Sequence, residues 1–541
     1  MEAAGLGLTR IIVSAVLGGV LGLFIYLYTT LFLQPRRLQS KLRRQGIRGP
    51  PPSFLFGNIA EMKKIQLHAH STAAKDHDSI AHDWPFTLFS YIHQWRNQYG
   101  PIFTYSTGTV QLLCITDPEM VKHISLCTSL SLGRPSFASK DRRPLFGEGI
   151  LSSNGSVWAY QKKIIAPELY MDKVKFILLW RTQPFKRSVL KGMVNSMVDS
   201  TTIVLRTWEN SVDNEEGVAD IRVDEDLRRV SADIISRACF GSSYSQGKDI
   251  FLKLRTLQKI MSKGFSYTGV PGWRHLPNKN NREIWRLEKE INMMILKVVN
   301  ERIGAQHGEK DLLQMILEAA KSSSSHNGKP SMDINSDKFI VDNCKNIYFA
   351  GNETTAVTAS WALVLLATHP DWQARARAEV LEICKGRLPD ADMLRRMKTL
   401  AMVIQETLRL YPVVAFVARE TFQDMKFRDL SVPRNSVIWI PVPTLHHHPD
   451  VWGPDAHLFN PERFGNGIQG ACKIPQAYMP FGMGTRTCIG QHFAMAELKV
   501  ILSLILSKFS FSISPAYRHS PAFQLIIEPE HGVNLIIRKV P

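Results

Sequence analysis

Charged residues are missing between positions 11 and 33, where IIVSAVLGGVLGLFIYLYTTLFL runs for 23 residues without one. At the helical rise, such a stretch crosses the hydrocarbon core of a bilayer with a little tilt. Apolar positions recur at helical spacing through most of 189–320, with breaks at Gly241, Gly264, Pro271 and Pro277. The longest helical pattern runs from Ser336, a candidate cap, to His369, before Pro370. A strict alternation from Phe103 to Ile115 predicts two strands turning at Gly108. After Cys488, QHFAMAELKVILSLILSKF reads as one more helix. Two segments break the patterning: RGPPP at 48–52, stiff and extended, and KSSSSHNGKP at 321–330, a flexible linker by composition.

Charge sharpens the reading of the N-terminus. Arg36, Arg37, Lys41, Arg43, Arg44 and Arg48 follow the apolar run, while only Glu2 and Arg10 precede it. The positive-inside rule then places the rest of the chain in the cytosol. The alternative is a cleaved signal peptide. It fits less well, because the apolar run is too long and no small-x-small cleavage site precedes the basic cluster. The expected division is a membrane anchor at 1–35, a basic and proline-rich hinge at 36–52, and one catalytic domain at 53–541. Removal of residues 1–45 should therefore leave the catalytic domain intact.

The net charge of +18 points to an acidic partner or surface. With no nucleic-acid-binding motif, anionic lipid and an acidic redox protein remain the partners of choice, and nucleic acid is excluded. Seven scattered cysteines, an odd number, do not form a disulfide framework and fit a reducing compartment. Two histidine groups invite a metal reading. His68, His70, His77 and His82 are irregularly spaced and have no acidic or cysteine partners, which favours a polar surface insertion. In HHHP at 446–449, adjacent histidines do not share a face, and a turn is the simpler reading.

Chemistry concentrates in Phe481–Gly490, FGMGTRTCIG. A thiolate at Cys488, placed at a helix N-terminus, would be favoured by free N–H groups and the dipole. Gly484 permits a positive-φ turn and Gly490 a close approach to a flat cofactor. Phe481 can shield the sulfur, and Arg486 offers a guanidinium to a carboxylate. Within the long helix, AGNETT at 350–355 sets small residues beside an acid and a hydroxyl. Glu353 and Thr354 there can open a groove and move protons, although a simple helix kink is the alternative. Glu406 and Arg409, at i and i+3 in ETLR, share a helix face. Arg463 lies in PERF at 461–464.

These segments, in this order, resemble the cytochrome P-450 superfamily of haem-thiolate monooxygenases. The resemblance covers the chain after about residue 45. It implies a mainly α fold with a small β-rich lobe on the N-terminal side, preceded by a single transmembrane helix. It implies haem b between the helix bearing Thr354 and the one following Cys488, with Cys488 as the axial metal ligand and O2 as co-substrate. Phe481, Gly484, Arg486 and Gly490 carry the loop motif. Trp158 and Lys162 stand where the family has Trp-x-x-x-Arg, and Arg419 where it has a further propionate-binding arginine. Lysine keeps the charge but loses the bidentate fork. Thr354 takes the oxygen-side hydroxyl role and Glu353 the proton relay, while Glu406, Arg409 and Arg463 form a buried structural network. Arg142 and Arg143, with Val413 and Val414, are candidate substrate contacts; a propionate contact or a solvated loop is the alternative for the arginines.

The resemblance further implies an NADPH-cytochrome P-450 reductase as partner, a small hydrophobic substrate, and a single-pass location in the endoplasmic reticulum membrane. RRQGIRGPPPSFLFGN and WAYQKKIIAPELY look like a plant group oxidising gibberellins and related terpenoid acids. A haem-thiolate isomerase or dehydratase, and a non-catalytic haem sensor, are the rival classes.

Overall fold

The computed structural model describes residues 2–73, 80, 82–169, 185–241, 244–264, 267–304, 311–323 and 336–540. His77, Ser324–Pro330 of the expected linker and the end of WAYQKKIIAPELY lie outside them. The predicted anchor is helical: α1 is Glu2–Tyr28, a π-turn covers Thr29–Leu33, and α2 is Gln34–Arg43. Both threonines turn their hydroxyls back onto the Tyr26 carbonyl, at 2.9 and 2.6 Å. That satisfies backbone locally, as an apolar solvent requires. The helix from Ile12 onwards is long and apolar enough to cross a membrane.

The segment expected to act as a hinge is packed instead. Leu42 and Ile47 are buried in the same core as Leu113, Ile115 and Ile440. The Gln45 side-chain amide pairs both ways with the Ser431 backbone, each contact 2.8 Å. The Arg48 carbonyl accepts from Thr104 N–H at 2.9 Å. Packing of the body thus begins at Leu42, within the basic stretch. Two isolated apolar residues among arginines give no periodic signal, which is why composition hid it. Deleting residues 1–33 should leave thermal stability close to that of the full chain. Deleting residues 1–47 should lower it clearly, since each lost buried aliphatic side chain costs about 2–5 kcal/mol. Thermal denaturation of the two truncations checks this; equal melting would refute the docking.

The strand pair is β1 (Ile102–Thr107) and β2 (Val110–Ile115), antiparallel with Thr107 opposite Val110. They join β3 (Leu132–Gly133), β4 (Phe416–Thr421) and β5 (Val437–Pro441) in one sheet of order β1-β2-β5-β4-β3. Only the β2–β5 pairing is parallel. The β-rich lobe is therefore not purely N-terminal: residues near 420 and 440 complete it. A second sheet of three strands pairs Asn534–Lys539 with Val218–Arg222 and with Phe509–Ile513. Val218–Arg222 lies in the stretch expected to be helical.

The remainder is largely helical. The helices that build the site are α3 (Gly155–Leu169), α4 (Val223–Phe240), α5 (Tyr244–Lys263), α6 (Ser336–Thr368), α7 (Lys398–Leu410) and α8 (Gln491–Lys508). At 33 residues, α6 runs about 50 Å through the body. Its second half, from Ala356 to Leu366, is buried on every side, which explains why its apolar residues show no single stripe. His82 is a correction to the surface reading. It is buried, with Nδ1 2.7 Å from the Tyr411 hydroxyl, and burial pushes its imidazole down to about 3. His446 and His447 are buried as well, and His448 caps Pro449–Trp452 by accepting from Asp450 N–H. Among the described residues, no histidine, cysteine or carboxylate cluster could hold a metal ion.

Candidate functional site

A cavity of about 370 Å³ lies between α6 and the loop leading into α8. The loop is shaped by its own backbone: Cys488 N–H donates to the Phe481 carbonyl at 2.8 Å, around a 3-10 turn at Gly484–Arg486. Gly484 has φ +64°, and a Cβ there would stand 3.0 Å from the Ser125 carbonyl oxygen. Glycine is needed on both counts. Gly490 caps α8, so Cys488 sits three residues before the first helical residue rather than at it. A Cβ on Gly490 would meet nothing within 4 Å, leaving that face open. Phe481, Cys488 and Gly490 all line the cavity. Cys488 is exposed, and it faces this cavity. Desolvation raises its thiol, while the Gly490 N–H and the Arg134 charge pull the other way.

One edge of the cavity gathers Arg134, Arg419 and Arg486. Arg486 donates to the Ser153 carbonyl at 2.9 Å and to Asn154 Oδ1 at 2.8 Å, and its guanidinium lies 3.9 Å from the centre of the Trp158 ring. Arg419 donates to the carbonyls of Ala418 and Met483, both at 2.9 Å. Arg134 Nε is buried and makes no hydrogen bond among the described residues. Burial lowers all three guanidiniums, and the charge of Arg134 depresses both others; Arg486 falls to about 9. Their contacts are carbonyls and one amide. No carboxylate ion-pairs with any of them among the described residues. A cluster so built is completed by an anion from outside the chain, which is what the propionates of a haem supply. The donor set therefore fits that group.

Lys162 is placed differently from expectation. Its ammonium donates to the Thr485 carbonyl at 3.0 Å and lies 4.9 Å from the Trp158 ring centre, bracing the loop without lining the cavity. Trp158 does line it. Opposite Cys488, α6 contributes Ala350, Gly351, Thr354 and Thr355. Thr354 turns its hydroxyl onto the Ala350 carbonyl at 2.7 Å, loosening the helix locally. Glu353 faces away: it is buried, 3.2 Å from Arg228 Nε and 3.1 Å from Arg255 Nη1. Asp224 and Glu528 complete this network.

The substrate candidates divide. Arg142, Val413 and Val414 line the cavity; Arg142 is lowered to about 10 by burial and then by the Arg134 charge. Arg143 points outward, largely exposed, 3.8 Å from Glu148. Beneath the loop, Glu406 and Arg409 make a fully buried bidentate pair at 2.7 and 2.7 Å. Arg463 Nε reaches Glu406 at 3.3 Å and also holds Asp455 at 2.9 Å.

The cytochrome P450 family pattern matches residues 85–535 of this sequence. The chain belongs to the cytochrome P450 family. It is similar to cytochrome P450 714C2 of Oryza sativa subsp. japonica, 51% identical over 523 residues and covering 96% of each chain. It is 46% identical to rice cytochrome P450 714B2 over 547 residues, 98% of this chain and 97% of that one. Cytochrome P450 714A2 of Arabidopsis thaliana is 44% identical over 548 residues, the whole of both chains. As a cytochrome P450 of plant type, the chain is a monooxygenase of the class that uses haem, a cysteine thiolate on its iron, and O2. Arg134 is the site residue that sequence patterning missed. It follows a two-residue strand and precedes Pro135, a context without periodicity.

Proposed function

We propose that this cytochrome P450 inserts one oxygen atom from O2 into an amphipathic terpenoid acid of the gibberellin type. On this reading it is a single-pass protein of the endoplasmic reticulum membrane, with its catalytic body in the cytosol. Electrons come from NADPH-cytochrome P450 reductase, the partner with which this family generally works. The observation that carries the reading is one largely apolar cavity holding Cys488, the Thr354 groove and Arg142, a fourth arginine beside Arg134, Arg419 and Arg486.

Haem bound on Cys488 would supply dioxygen cleavage, which thiolate ligation favours. The protein's own groups do the rest. Arg134, Arg419 and Arg486 would hold the haem propionates, and the Arg486 guanidinium is itself seated against the Trp158 ring. Phe481 keeps water from the sulfur. Thr354 offers a hydroxyl at the groove, and Glu353 serves it from behind, restrained by Arg228 and Arg255. Val413, Val414 and Phe146 take the hydrocarbon, and Arg142 takes the carboxylate through charge-assisted hydrogen bonds.

Membranes carrying the full chain and a reductase test the reading against a panel of terpenoid acids under isotopically labelled O2. Product carrying one labelled oxygen should form only with NADPH and reductase. Product without either would favour an isomerase or dehydratase, and none with any substrate a haem sensor. In the same assay, Thr354→Ala should keep haem and consume NADPH, but yield roughly tenfold less product per NADPH. Unchanged yield would exclude the hydroxyl from proton handling. Arg142→Ala should raise the apparent KM for the acid about ten- to a hundredfold and leave the methyl ester little changed. Haem loss on this substitution would place Arg142 with the propionates instead.

A further inference from the structure

Glu497, on α8, is fully buried and makes a single hydrogen bond: Oε1 lies 2.6 Å from Ser231 Oγ, and Oε2 makes none among the described residues. Ser231, on α4, also lies 3.1 Å from the carbonyl oxygen of Gly351, inside the groove of α6. The approach of α4 to α6 depends on Gly351. A Cβ there would stand 2.5 Å from Ile235, one helical turn along α4 from Ser231. The three groups thus form a line from α8 through α4 to the residue three before Thr354.

Counting protons gives this line a direction. A serine hydroxyl has one hydrogen and can accept two more bonds. The Gly351 carbonyl can only accept. Both contacts of Ser231 can be hydrogen bonds at once only if Ser231 gives its hydrogen to Gly351 and receives one from Glu497. An ionised Glu497 would take the serine hydrogen for itself and leave the carbonyl without it. The surroundings agree with a neutral acid: burial pushes the Glu497 carboxyl up to about 8, and no basic side chain pairs with it among the described residues.

We propose that Glu497 is a positioning residue, kept as a neutral carboxylic acid. It donates to Ser231, which donates to the Gly351 carbonyl and fixes the segment of α6 that carries Thr354. The functional consequence rests on the role given above to Thr354; the structural chain does not. Neither Glu497 nor Ser231 lines the cavity.

The test uses the full chain in membranes with reductase, and has two arms. In the first, infrared difference spectra at neutral pH compare wild type with Glu497→Gln. A protonated-carboxyl band present in wild type and missing in the variant is expected. Its absence from wild type would overturn the proposal. In the second, Ser231→Ala should speed amide hydrogen exchange at 351–355 and lower product per NADPH about three- to tenfold, the worth of one hydrogen bond. The carbon-monoxide complex should be retained. Glu497→Gln, whose amide can still donate to Ser231, should keep both values near wild type. Exchange in Ser231→Ala equal to wild type would overturn the proposal. If Thr354→Ala itself proved fully coupled, the Thr354 role would fall, while the infrared and exchange arms would still decide the chain.

Discussion

Replacing Cys488 by serine should abolish the red-shifted absorbance of the reduced carbon-monoxide complex, together with all oxygenase activity. The variant should still fold. Among the described residues, Cys488 is not one of the core side chains; its backbone N–H closes the loop onto Phe481, and serine keeps that bond. What serine cannot supply is a thiolate. An alkoxide is far too basic to form at neutral pH, whereas a thiol facing the Gly490 N–H and the Arg134 charge is within reach of ionisation when a metal binds. The loss should therefore be complete, with no partial activity. A variant that keeps the red-shifted band would transfer the ligand role away from Cys488. The other six cysteines are poor substitutes, since none lines the cavity and Cys114, Cys239 and Cys344 are fully enclosed.

Much of the site was legible because its chemistry demands fixed residues at fixed spacing. The loop Phe481–Gly490 needs an aromatic, two glycines, an arginine and a cysteine, and a helix must follow. The long helix was legible through its length and its two ends. What stayed hidden were orientations set by distant partners. Glu353 and Thr354 are adjacent in sequence, yet Thr354 faces the cavity and Glu353 is drawn to Arg228 and Arg255, 125 and 98 residues away. No local pattern states which turn of α6 an arginine from α4 or α5 will reach. Lys162 kept the expected charge and helix, but its ammonium turned to the Thr485 carbonyl 323 residues on. The strand Val218–Arg222 reads as helix locally and forms only because Asn534–Lys539 offers it an edge. Leu42 and Ile47 were masked by the basic residues around them. In each case tertiary partners overrode a weak local signal.

Arg409→Leu should prevent accumulation of the haem-loaded protein. The Arg409 guanidinium is wholly buried and satisfies five acceptor contacts: both oxygens of Glu406 at 2.7 Å, and the carbonyls of His446, Ala456 and Leu458 at 2.9, 2.6 and 2.9 Å. Removing it leaves the Glu406 carboxylate held, among the described residues, by Arg463 and the Asn460 N–H. Breaking a buried pair typically costs about 3–5 kcal/mol. Three orphaned carbonyls add about 1 kcal/mol or more each. Set against a total stability of about 5–15 kcal/mol, that loss suffices to unfold the body. Arg409→Lys should fall between, because one ammonium has three hydrogens and cannot span five acceptors in a plane. Removing both charges, as Glu406→Leu with Arg409→Leu, should recover part of the loss, since the buried carboxylate goes with the guanidinium, although the three carbonyls, the Asn460 N–H and Arg463 Nε stay unmet. Haem content and thermal midpoint of the full-length variants check the order: wild type, then Arg409→Lys or the double variant, then Arg409→Leu. A double variant as unstable as Arg409→Leu would assign the cost to the carbonyls that shape the Leu445–Leu458 turn beneath the loop. An Arg409→Leu protein that melts like wild type would remove the network from any structural role.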